Sequence, residues 1–192
     1  MHSTLHSNAQ HVEIRYATEA DTPAMHDVVL AAFGMPSGPE LVSLIDDLSG
    51  DATARPLLSF VATSQGRIVG HILFSNVQLQ GSQDQVAASI LAPLCVHPDF
   101  QRQGIGGALI TFGLSQLRAM DIGLVFVLGH PDYYPRLGFV PAGERGLQAP
   151  HPIPPEHAGA WMVQALRPGL LGTVTGTVAC AETLNDPRHW RE

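Results

Sequence analysis

Apolar and polar positions alternate from His11 to Ala17, with Val12, Ile14 and Tyr16 set against Glu13 and Arg15, which predicts a half-buried strand. Met25, Val28, Val29 and Ala32 then recur at three- to four-residue spacing. That period predicts a helix ending at Phe33, with Pro23 in its first turn and Asp21 or Thr22 as its N-cap. Gly34 to Pro39 interrupts the pattern, and Leu41, Leu44, Ile45 and Leu48 mark a second helix. From Leu57 the period falls to that of strands. Runs over 57–63 and 68–79 are joined by Ser64-Gln65-Gly66-Arg67, a hairpin signal, and a turn over 81–84 leads to a third strand over 86–96. Ile105, Leu109, Phe112 and Met120 lie near one face of a helix over 105–120, closed by Gly123. Leu124 to Leu128 is unbroken apolar, as a strand buried on both faces would be. A short helical segment over 132–137, a strand from Phe139, a Pro-rich loop over 148–155 and a strand over 161–166 follow. A Thr/Val-rich run over 173–179 reads as one more strand, weakened by Gly176, and 185–192 reads as a polar tail. The order predicts an α/β fold, a mixed sheet with helices on its faces.

The chain has 192 residues, 45% of them apolar, enough for one cored domain. The expected division is a flexible lead-in over 1–10, a domain over 11–166 and a C-terminal extension over 167–192. The net charge of −7 argues against a nucleic-acid partner, whose phosphates call for clustered Lys and Arg. Cys95 and Cys180 have no paired or zinc-like spacing, so free thiols in a reducing compartment are expected. No secretory pattern opens the chain and no apolar run approaches the ~20 residues of a membrane span. The expectation is a cytoplasmic protein with no membrane partner, a monomer or homodimer. The ten histidines form no ligand set on one element, so no metal is expected.

Chemistry concentrates in Leu91 to Gly107, LAPLCVHPDFQRQGIGG, where a strand runs through a polar loop into a glycine cluster opening a helix. Glycines allow close backbone approach, and the first helical N–H groups and the helix dipole point at whatever lies there, so this is a device for holding phosphate. It is neither a dinucleotide fingerprint, since Leu109 stands where a third glycine is needed, nor a Walker loop, since no Gly-Lys-Ser/Thr follows. Arg102 adds a cation. Pro93, inside an apolar strand, marks an edge, a bulge or a gap, because it cannot donate to a ladder.

Val96-His97-Pro98-Asp99-Phe100-Gln101-Arg102-Gln103-Gly104-Ile105-Gly106 resembles motif A of the GNAT N-acetyltransferase superfamily, a Gln/Arg-x-x-Gly-x-Gly/Ala loop after a Val-x-Pro strand end. Tyr134 followed by Gly138-Phe139 resembles the second landmark, Tyr-x-x-x-Gly-Phe. The wording GHPDYYPRLGF is closest to the YhbS-like branch, and the resemblance spans roughly 12–166. It implies the GNAT fold: a seven-stranded, mixed, mostly antiparallel sheet splayed like a V and flanked by helices, with acetyl-CoA as co-substrate in the cleft. By motif position it implies cofactor contacts at Leu94, Cys95 and Val96 along the pantetheine arm. Around the pyrophosphate it implies Gln101, Arg102, Gln103, Gly104, Ile105, Gly106 and Gly107.

The implied reaction is direct attack of a primary amine on the thioester within a ternary complex. A thiolate must leave, and Tyr134 is the residue expected to hand it a proton: a phenol of pKa ~10 serves a thiol of ~8.5 at modest cost. A backbone N–H near Leu94 would stabilise the oxyanion. The base that deprotonates the amine stays open among His130, Asp132, His71 and water. Cys95, on an apolar strand, has nothing to lower its pKa and is expected to pack rather than react. The acidic balance favours cationic acceptors by steering. The rival reading is a CoA-binding sensor without turnover.

Overall fold

The structure is a computed structural model that describes residues 12–82 and 85–190; the expected lead-in over 1–10 lies outside them. Nine strands join in one sheet among these residues: β1 (Val12–Tyr16), β2 (Leu58–Ser64), β3 (Arg67–Gln80), β4 (Ala88–Val96), β5 (Leu124–Leu128), β6 (Val140–Pro141), β7 (Leu147–Gln148), β8 (Trp161–Ala165) and β9 (Gly176–Cys180). The order is β1-β2-β3-β4-β5-β8-β6, with β9 pairing β3 and β7. All pairs are antiparallel except β4–β5 and β7–β9. The sheet is therefore mixed and mostly antiparallel, with two strands more than the resemblance implies.

Among the described residues three α-helices cover it: α1 (Thr22–Phe33), α2 (Ser37–Gly50) and α3 (Ile105–Ala119). Helix α2 starts earlier than the interruption over 34–39 suggests, because Pro39 falls in its first turn, where its missing N–H costs nothing. The unbroken apolar run of β5 is explained by two cores. Leu124 and Phe126 join Leu44, Leu48, Leu73 and Trp161 on the α2 side, while Val125 and Val127 join Phe60, Phe74, Leu109 and Ile110 on the α3 side.

The polar tail expected over 185–192 is corrected over its described part. Residues 182–190 form two 3-10 turns, Glu182–Asn185 and Pro187–Trp190, and dock on the sheet. Leu184 and Trp190 are buried, the Trp190 indole N–H donates to the Leu184 carbonyl at 2.8 Å, and its ring lies 5.6 Å from that of Trp161. Two apolar anchors among polar residues gave too weak a period to be read, yet they carry enough apolar area to hold the segment down.

Candidate active site

Strand β4 builds the site by leaving the ladder. It pairs β5 only from Ala88↔Leu124 to Leu91↔Val127. On its other edge Leu91 faces Phe74 and Leu94 faces Ile72, so Ala92 and Pro93 together stand opposite Leu73 in a bulge. Beyond it, β4 and β5 diverge. The N–H of His97 donates to the Val69 carbonyl at 2.8 Å. Alternation along an antiparallel pair then turns the backbone of Cys95 toward His71 of β3 and the backbones of Leu94 and Val96 toward the gap. The Gln101 amide occupies the Val96 carbonyl at 3.0 Å, which leaves Val96 to act through its N–H.

Of the three predicted strand contacts, Cys95 is thus set apart. Its side chain is buried with Val28, Val29 and Ile45 on the opposite face, and burial pushes its thiol up to about 12.

The glycine loop ends the gap at one side. A 3-10 turn over Pro98–Phe100 leads to Arg102 at φ +59° and Gly104 at φ +84°, and Gly104 starts the 15-residue α3. The Gly104 carbonyl accepts the Ala108 N–H at 3.0 Å, so the N–H groups of Ile105, Gly106 and Gly107 belong to the open first turn. Gln103 folds back onto the Asp99 carbonyl at 3.1 Å, and Gln101, Arg102, Gln103 and Gly104 are all exposed. The loop presents backbone amides and one cation to solvent, as an anion site would.

The two tyrosines lie side by side, ring centroids 5.2 Å apart, and meet different neighbours. A Cβ at Gly106 would stand 2.6 Å from the Tyr133 hydroxyl, so that tyrosine rests on the first turn of α3, a contact spacing did not reveal. Burial raises the Tyr133 phenol above its ordinary value. Tyr134 is buried edge-on to Phe139, with ring centroids 5.5 Å apart, and lies flush against Gly129, where a Cβ would come within 2.4 Å of the ring. It borders a cavity of about 550 Å³ with Leu91, Pro93, Leu94, Leu128 and His130.

Of the candidate bases, His130 alone reaches this cavity. His71 is fully buried in β3, with Nε2 2.9 Å from the Ser59 hydroxyl, and burial pushes its pKa down to about 4. Asp132 is exposed and off the lining. Among the described residues no group of three His, Cys, Asp or Glu side chains is placed to hold a metal, and no helix is long and apolar enough to cross a membrane.

Known proteins resemble this chain in sequence and fold. The sequence profile of the acetyltransferase (GNAT) domain matches residues 56–141, from β2 through the glycine loop to β6. The uncharacterized N-acetyltransferase YjhQ of Escherichia coli K12 is 43% identical over 173 residues, 90% of this chain and 93% of that protein. YhbS of the same strain, also an uncharacterized N-acetyltransferase, is 31% identical over 173 residues, covering 90% and 98%. The crystal structure of YhbS from Escherichia coli in complex with CoA superposes with a TM-score of 0.81 over 97% of both chains at 28% identity. A GNAT acetyltransferase from Brucella melitensis in complex with acetyl-CoA gives 0.70 over 91% of this chain and 99% of that one, at 29% identity. The divergence of β4 from β5, the glycine-opened helix beside it and these relatives lead to one conclusion: the chain belongs to the GNAT family of N-acetyltransferases.

Proposed function

We propose that the chain binds acetyl-CoA in the gap between β4 and β5 and passes the acetyl group directly to a primary amine in a ternary complex. The observation that carries this is the gap itself, with amides of Leu94 and Val96 along it, the α3 N-terminus opening beside it and Tyr134 on the wall of the adjoining cavity. The pyrophosphate lies on the N–H groups of Ile105, Gly106 and Gly107, with the helix dipole and Arg102 balancing its charge. The pantetheine amides pair with the Leu94 and Val96 backbone in place of a strand. The amine nitrogen attacks the thioester carbon, a C–N bond forms, and charge gathers on the carbonyl oxygen facing the Leu94 N–H. One such donor is typically worth about 3–4 kcal/mol. The C–S bond then breaks, and the thiolate takes the Tyr134 proton. His130, on the cavity wall, takes the proton shed by the amine, and solvent restores the phenol.

The test has two stages. Acetyl-CoA and CoA should each raise the melting temperature, and a panel of primary amines should release the CoA thiol, with Tyr134→Phe slowing release by about 10²–10⁴-fold. Stabilisation by acetyl-CoA with no thiol release from any amine, and no effect of Tyr134→Phe, overturns the catalytic reading in favour of a sensor.

A further inference from the structure

The cavity beside Tyr134 has a wall that the acetyl-transfer machinery leaves unexplained. Its far side is made by Leu41 and Leu44 of α2 and by Leu184, His189 and Trp190 of the C-terminal segment. That segment is held at both ends. Asp51 accepts the Thr183 N–H at 2.9 Å and its hydroxyl at 2.8 Å, and the Thr53 hydroxyl accepts the Glu182 N–H at 2.9 Å. At the other end Trp190 packs on Trp161, which stacks on Phe126 of β5 with ring centroids 5.2 Å apart and planes 8° from parallel. The wall is therefore fixed to the strand that forms one side of the gap.

We propose that residues 182–190 form the acceptor-recognition wall, and that the acceptor is a small primary amine on an apolar body seated against Leu44, Leu184 and Trp190. This rests on the acetyltransferase reading and specifies its acceptor. A volume of about 550 Å³ suits a small molecule. The buried side chains facing the cavity include Leu44, Ile90, Leu91, Leu184 and Trp190, so a hydroxyl- or amine-rich acceptor would leave polar groups unpaired there. The lining carries one carboxylate, Glu40, and one guanidinium, Arg188, which Asp186 already engages at 2.8 Å, so the charge left to an acceptor is that of Glu40, which favours a cation over an anion.

The more open acidic cleft next to it, about 920 Å³, is lined by neither Tyr134 nor His130, so a polyamine seated there would lie off the groups that move the protons. Two of its carboxylates are already engaged, Asp51 by Thr53 and Thr183, and Asp186 by the Arg188 guanidinium at 2.8 Å.

Thiol release from acetyl-CoA is measured with phenethylamine, hexylamine, spermidine and a lysine-containing tetrapeptide. Wild type should show kcat/KM at least tenfold higher for phenethylamine and hexylamine than for the other two. Trp190→Ala should raise the phenethylamine KM at least tenfold while acetyl-CoA affinity stays within twofold. Trp190→Phe, which keeps the apolar bulk, covers the case in which the alanine variant does not fold, and should shift the phenethylamine-to-hexylamine preference severalfold. A preference for spermidine or the peptide, or folded Trp190 variants with unchanged amine KM, overturns the proposal. If no amine releases thiol, the acetyltransferase reading fails, and calorimetric titration of phenethylamine into the CoA-loaded protein still decides the wall. Binding weakened by Trp190→Phe sustains it, and no binding overturns it.

Discussion

Gly129→Ala isolates the placement of Tyr134 from the chemistry of its hydroxyl. Gly129 has no left-handed φ, so alanine suits its backbone. Its N–H donates to the Ala160 carbonyl at 3.0 Å, which holds the main chain in place. The added Cβ would sit 2.4 Å from Cε2 and 3.1 Å from Cδ2 of Tyr134. Reaching ordinary contact requires the ring to retreat by about 1 Å, and its room is limited by Phe139 and Tyr133, packed edge-on at 5.5 and 5.2 Å. Overpacking of this kind costs about 1–3 kcal/mol. For a chain of this size the melting temperature then falls by about 2–12 °C, and the protein still folds. A 1 Å displacement of a reacting group costs about 10²-fold in rate. Thiol release with phenethylamine should therefore fall about a hundredfold in kcat, with acetyl-CoA affinity within a few-fold of wild type. A folded Gly129→Ala protein with the measured destabilisation and a wild-type kcat refutes the assignment of Tyr134 as the proton donor, since its hydroxyl could not move and still serve.

Further outcomes follow from other contacts. Gly106→Ala drives a Cβ to 2.6 Å from the Tyr133 hydroxyl and should weaken acetyl-CoA binding at least tenfold in a titration, with Tyr133→Phe restoring part of it. Gly104→Ala meets no atom within 4 Å but keeps φ at +84°, so its cost is backbone strain of about 1–2 kcal/mol in denaturant unfolding. The hydrogen bonds of Thr53 and Thr183 hold Asp51 well below the usual carboxylate range. Its stabilisation is present above pH ~4 and lost as pH falls below that, so Asp51→Ala should flatten the acid limb of the stability curve below pH 4. His71, pushed down to about 4, stays neutral in the fold while the unfolded chain protonates near 6.5, so stability should drop between pH 6.5 and 4 with a slope approaching one proton. Burial pushes Cys95 up to about 12 and Cys180 up to about 11, so iodoacetamide at pH 8 should label neither until the protein is unfolded.

Local signals determined much of this molecule. The glycine loop was legible because backbone conformation and close approach restrict residue type at each position: Gly104 is glycine at φ +84°, and a side chain at Gly106 would strike Tyr133. Leu124 to Leu128 announced its double burial through an unbroken apolar run, and Pro93 announced an interruption because it cannot donate. Tertiary structure alone decided what those interruptions are for. That β4 leaves β5 after Leu91, that Cys95 turns its backbone to β3 while Leu94 and Val96 face the gap, and that Tyr133 rests on the first turn of α3 are consequences of pairing and register between distant segments. The C-terminal wall is the clearest case. Leu184 and Trp190 stand apolar among polar residues, and only the distant surfaces of Trp161 and Asp51, brought to them by folding, turn that tail into one side of the cavity.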